Sequence, residues 1–129
     1  MSAARFAVPI LCVLCATEAM ADCLRADRDD QQATGRLAEV KITNEAYRRT
    51  ETAFILSLAK PACLQGKSEY DKVENTKRIH VFSMDGEIRR KLRANVGKTI
   101  RVTGAPFGEH TAHHHAPIVM NAMKVEKVQ

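Results

Sequence analysis

Asp85-Gly86-Glu87-Ile88-Arg89-Arg90-Lys91-Leu92-Arg93-Ala94-Asn95-Val96-Gly97 is the stretch of this chain with helical spacing. Ile88, Leu92 and Val96 fall at i, i+4 and i+8, so a helix carries them as one apolar stripe. Asp85 offers a short side-chain oxygen to the free amides of a helix start, Glu87 suits the positive end of the helix dipole, and Gly97 supplies a stop. The regular elements on either side of this helix read as strands.

On its C-terminal side, Ile100 and Val102 make a strand ending at Gly104, and Ile118 to Val125 makes another. On its N-terminal side, Arg78-Ile79-His80-Val81-Phe82 is a strand, preceded by a connection rich in Gly, Ser, Asp and Asn from Gln65 to Thr76. Farther back, Thr52 to Leu58 alternates, with Phe54, Leu56 and Leu58 on one face, and Pro61 is expected to end it. Asn44 to Thr50 reads as a turn. Ala33 to Val40 reads as the first strand, and the change of phase from Leu37 to Val40 and Ile42 predicts a bulge or bend, which Gly35 suits.

Five strands with one helix between the third and fourth is the element order of an OB-fold, so a mainly β, OB-fold-like five-stranded Greek-key barrel is expected, its open end plugged by the helix stripe. A β-sandwich would not need the helix and uses more strands.

The N-terminus bears on compartment. Arg5, an apolar run from Phe6 to Ala16, and the small-x-small site Ala19-Met20-Ala21 have the layout of a signal peptide over residues 1–21, with cleavage near Ala21. The run is shorter than the roughly 20 residues that span a bilayer, so no membrane anchor is expected and the protein is expected to be periplasmic or secreted. Cleavage leaves residues 22–129 as a single domain. It removes Cys12 and Cys15, and the remaining pair, Cys23 and Cys63, suits a disulfide in an oxidising compartment. Closing that loop would stabilise by roughly 4 kcal/mol on the chain-entropy model. The net charge of +5 favours anionic partners, such as an anionic cell-envelope polymer.

The chemistry is concentrated in one loop, Phe107-Gly108-Glu109-His110-Thr111-Ala112-His113-His114-His115-Ala116-Pro117, with four of the five histidines of the chain. Neutral imidazole is a good ligand for Zn or Cu, so His110, His113 and His115, with Glu109 as an oxygen donor, form a candidate metal set. If the backbone is extended here, His113 and His115 share a face and His114 points the other way. Against metal stands a plainer reading, a pH-sensitive loop whose rings pair with backbone groups. Residues 22–129 contain no Gly-x-Ser-x-Gly elbow, phosphate loop, dinucleotide fingerprint or His-Glu-x-x-His pair, which argues against an enzyme, and catalytic residues are not assigned. Nucleic-acid binding needs stacking aromatics, and Phe54 and Phe82 read as core, so nucleic acid is disfavoured as a partner.

Phe54-Ile55-Leu56-Ser57-Leu58-Ala59-Lys60-Pro61-Ala62-Cys63, Gly97-Lys98-Thr99-Ile100-Arg101-Val102-Thr103-Gly104, Phe107 and His110 to Pro117 together resemble the bacterial exported family called domain of unknown function 4431. The resemblance implies compartment and fold but no established activity. Ala112 stands where the family's loop is expected to have Gly, which restricts the backbone and leaves the imidazoles in place. The expected function is an exported binding or interaction module, its partner an envelope protein or anionic envelope polymer, with Pro106 to Pro117, including Phe107 and His114, as the recognition edge. The alternative is a Zn or Cu protein.

Overall fold

A computed structural model describes residues 3–10 and 23–128. Residues 3–10 are exposed and without regular structure, and the expected cleavage site, Cys12 and Cys15 lie outside the described residues. The chain is mainly β. Strands β1 (Leu24–Arg25), β2 (Gln31–Asn44), β3 (Arg49–Gln65), β4 (Val73–Phe82), β5 (Thr99–Gly108) and β6 (Ile118–Lys127) form one mixed sheet, and helix α1 (Gly86–Ala94) lies between β4 and β5. The helix is therefore in the expected gap, and β1 is an additional short strand.

Pairing runs from β3 through β2, β5, β6 and β4 and returns to β3, which bonds both β2 and β4. All of these contacts are antiparallel except that of β4 with β6. The enclosed face buries Leu37, Leu56, Ile79, Val81, Ile100, Val102, Ile118 and Met120. Helix α1 adds Leu92, which is fully buried, and half-buried Ile88. Asp85 caps the helix as expected, its Oδ1 accepting from the amides of Glu87 (2.8 Å) and Ile88 (3.1 Å). The helix is shorter than its periodicity predicts: the Asn95 amide donates to the Leu92 carbonyl, Gly97 turns away at φ 85°, and Val96 is left exposed.

Two further expectations are corrected. Pro61 does not end β3, which continues to Gln65. The β3–β4 register shifts between Ser57 and Ala62, and at that irregularity a residue without an amide proton costs no ladder bond. The phase change along β2 is not a bulge, because its pairing with β3 is continuous from Gly35–Leu58 to Asn44–Arg49. The β2–β3 hairpin instead buries opposite faces at its two ends. Leu37 and Leu56 face the main core, while Ala53 and Ile55, with Val40 and Ile42 against them, form a second cluster with Ala116.

Cys23 and Cys63 are disulfide-bonded, with Cα atoms 4.6 Å apart. Just beyond the bond, β1 runs parallel to Leu64 and Gln65 of β3, so the cross-link fastens the start of the described domain to the end of its longest strand.

Candidate functional site: a histidine loop over the outer face

Cross-strand partners stand on the same face of a sheet. Ile55 pairs with His80, His80 with Val119, and Val119 with Phe107, so these four residues form one row across β3, β4, β6 and β5. The row faces away from the main core, yet Ile55, His80 and Val119 are buried. Their cover is the segment from Glu109 to Pro117. Its neck is closed by the Glu109 amide donating to the Pro117 carbonyl (3.1 Å), and it turns where the His114 amide donates to the Thr111 carbonyl (3.1 Å). Asn44 Nδ2 donates to the Ala112 carbonyl (3.3 Å), and Ala116 packs on Ala53 and Ile55. At Gly108 the backbone lies against the carbonyl oxygen of Tyr70 with no room for a Cβ, and the Gly108 amide donates to Asp71 Oδ1 (2.9 Å).

Folded this way, the loop divides its histidines into two groups. The first is centred on Glu51, near the start of β3. His113 Nδ1 donates to Glu51 Oε1 (2.6 Å) and His115 Nε2 donates to Oε2 (3.0 Å), so one carboxylate holds two rings. The Tyr47 ring stacks on His113 with centroids 5.0 Å apart and planes 14° from parallel. Beneath them the His115 amide donates to His80 Nδ1 (3.2 Å). The second group lies toward β5. There the His110 amide donates to His114 Nδ1 (3.2 Å), and His110 Nδ1 donates to the Gly108 carbonyl (2.9 Å). The His114 ring sits 5.1 Å from Phe107, and Tyr70 lies 4.5 Å from His110.

Charge follows from these contacts. The Glu51 carboxyl is held below its ordinary value, first by the hydrogen bond from His115, with His113 adding to it against the opposing effect of burial. His80 is pushed down to about 4, mainly by burial and then by the charge that His115 and His114 would carry. His114 is lowered by burial and by His110. His80 is therefore a neutral acceptor at ordinary pH, its tautomer set by the His115 amide.

Residues 111–117 form a turn and not the extended strand on which the expected alternation depends; His113 and His115 nevertheless meet at Glu51, while His114 lies against Phe107. His110 joins His114 rather than the first pair, and exposed Glu109 enters the loop through its backbone. Among the described residues, no group of three or more His, Cys, Asp or Glu side chains is arranged to hold a metal ion. A groove of about 850 Å³ lies elsewhere, beside the disulfide between Leu64 and Val73, and shares no residue with the loop.

Glu51, Asn44 and Tyr47, which hold or flank the first group, were not singled out from the sequence. A signal was present in the odd positions of β3: Glu51, Ala53 and Ile55 alternate out of phase with Phe54, Leu56 and Leu58. Two interleaved alternations mean a strand buried on both faces, and the acidic residue at the end of the second one faces the histidines.

Residues 78–126 match the family model described as Domain of unknown function (DUF4431). This segment belongs to DUF4431. It contains the second half of β4, all of α1 and β5, the histidine loop and nearly all of β6. The Phe54–Cys63 stretch used in the sequence resemblance, and Glu51 with it, lies outside the DUF4431 segment. No curated protein matches the chain. No helix among the described residues is long and apolar enough to cross a membrane, and the disulfide fits an extracellular location.

Proposed function

We propose that this chain is an exported binding module whose recognition edge is the histidine loop together with the tip of the β2–β3 hairpin. One observation carries the reading: two exposed tyrosines, Tyr47 and Tyr70, stand against rings of a loop that is itself fixed by Glu51, Asn44 and Asp71. A rigid edge with exposed, amphipathic rings is suited to recognition because little side-chain entropy is lost on contact. The partner class is an envelope protein or an anionic cell-envelope polymer, in keeping with a net charge of +5. Residues 1–21 act as the signal peptide, residues 22–129 form one domain, and the protein works in the periplasm or outside the cell. The circuit of strand pairing with α1 against its core supports an OB-like barrel as the architecture.

Titration of labelled protein with soluble peptidoglycan fragments and with purified envelope proteins, followed by nuclear magnetic resonance, tests the edge. Shifts should cluster at Tyr47, His113 and Tyr70, and Tyr47→Ala with His113→Ala should weaken binding at least tenfold. Binding that leaves these resonances in place and ignores the double substitution would discard the edge.

A second reading, Zn or Cu binding by His110, His113 and His115 with Glu109, requires the loop to rearrange, since His110 lies with His114 and apart from His113 and His115; one observation, at His110 and His113, is in its favour. Each ring spends Nδ1 on an oxygen acceptor, the arrangement that orients ligating histidines and leaves Nε2 free. Calorimetric titration with Zn and Cu separates the two readings, since saturable binding tighter than ~10 μM is expected only under the second.

A further inference from the structure

Helix α1 is attached through one stripe, Ile88 and Leu92, and every other side chain of its second half faces solvent. From Ser83 to Lys98 the chain carries Arg89, Arg90, Lys91, Arg93 and Lys98 against Asp85 and Glu87, a net +3 of the +5 of the whole chain. Both acids are already engaged. The Asp85 carboxylate is used by the helix amides, and Glu87 lies 3.5 Å from Arg90. Arg89 donates from one nitrogen to the Ser83 (3.3 Å) and Met84 (3.0 Å) carbonyls, which fixes the turn before the helix; Lys91, Arg93 and Lys98 are exposed and have no acidic partner among the described residues, and exposed Arg90, paired with Glu87, lies beside them.

A concentration of charge alone is ordinarily a solvated face. Here two exposed methionines, Met84 and Met123, adjoin it. A groove of about 340 Å³ runs between the start of α1 and β6, with Lys91, Asp85 and Glu87 on its wall and Met84 and Met123 at its rim. These methionines are 81% and 50% exposed, against an ordinary tendency of methionine to be buried. Flexible apolar side chains beside basic ones are what an interfacial segment needs, the former entering the acyl boundary and the latter meeting phosphates. No aromatic side chain lines this groove, so a stacking surface for nucleic acid is absent from its walls.

We propose that the α1 face, with Met84 and Met123, docks this protein reversibly on the surface of an anionic phospholipid bilayer. Arg90, Lys91 and Arg93 contact headgroup phosphates, and the two methionines enter between the headgroups. This contact does not use the histidine loop, and it holds whether or not that loop is a recognition edge.

Sedimentation of the full chain with vesicles tests the proposal, comparing phosphatidylcholine alone with phosphatidylcholine containing phosphatidylglycerol. Binding is expected only to the anionic vesicles and should weaken as salt is raised. Replacing Arg90, Lys91 and Arg93 together with Gln should lower affinity about 100-fold, at roughly fivefold for each charge lost. Met84→Ser with Met123→Ser keeps every charge and should still reduce partitioning several-fold. All these positions are exposed, and matching melting curves establish that the variants fold. Equal binding to neutral vesicles would mean that the apolar N-terminal residues, shared by every variant, drive association, and would overturn the proposal. So would affinity unchanged by either set of substitutions, or tighter binding to a DNA oligonucleotide than to anionic vesicles.

Discussion

At Glu51 a single carboxylate accepts from two histidine rings, and His80 below accepts from the loop backbone. Replacing Glu51 with Ala should therefore loosen the cover without dissolving the core. Amide hydrogen exchange is expected to rise at His113 and His115 and to stay unchanged along β5. Protection retained at both amides would mean that apolar packing through Ala116 alone holds the loop. His80 gives the fold a defined response to acid. Its folded value of about 4 lies below the ordinary 6.5, so the unfolded chain takes up a proton first. Its contribution is complete above pH 6.5 and is lost as pH falls through about 4, at most on the order of 3 kcal/mol for a shift of this size. The lowered Glu51 and His114 act in the same direction. The urea midpoint should drop between pH 7 and pH 4.5, and His80→Gln should flatten that dependence. Much of the candidate site was legible, because four histidines in one loop declare themselves. Glu51 was not, because it is 62 residues from His113 and its role comes from strand pairing rather than from local spacing.

Among the elements, helix α1 was the most readable because its signals are local: an oxygen at Asp85, a stripe at Ile88 and Leu92, a positive-φ glycine at 97. Leu92→Ala should cost ~2–5 kcal/mol by chemical denaturation, since the side chain is wholly buried. Val96→Ala should fall within ~0.5 kcal/mol, because the helix stops before it. Asp85→Ala should cost ~1 kcal/mol through loss of the cap. Equal costs at Leu92 and Val96 would restore the longer helix that the periodicity predicts. The strands were readable in position and less so in extent. Pro61 mimics a terminator, but its effect depends on whether the ladder needs an amide at that point, which only the partner strand decides. The Leu37-to-Val40 phase change has the same character. A bulge and a switch of buried face leave the same trace in a sequence, and the covering loop that distinguishes them enters more than 60 residues later.

For the molecule as a whole, the Cys23–Cys63 bond ties the short strand β1 to the end of β3, to which it is also held by two residue pairs and by the Ala26 amide donating to the Gln65 carbonyl. Reducing it, or replacing both cysteines with Ser, should lower stability by ~2–4 kcal/mol in urea titrations. A loss below ~0.5 kcal/mol would mean that β1 holds without it. The DUF4431 segment ends short of completeness in a physical sense, because β4 and β5 both find partners in β2 and β3, outside residues 78–126. Expressed alone, residues 78–126 should present two open strand edges and associate, which light scattering would detect. The contact between β4 and β6 has a different bearing, on the time course of folding. Parallel neighbours cannot be joined by a tight turn, and here the chain passes through α1, β5 and the loop before β6 can lie beside β4. That junction forms only after a long stretch of backbone has been ordered. Refolding from urea should accordingly occupy milliseconds to seconds rather than microseconds, with the β2–β3 hairpin assembled before β6 arrives.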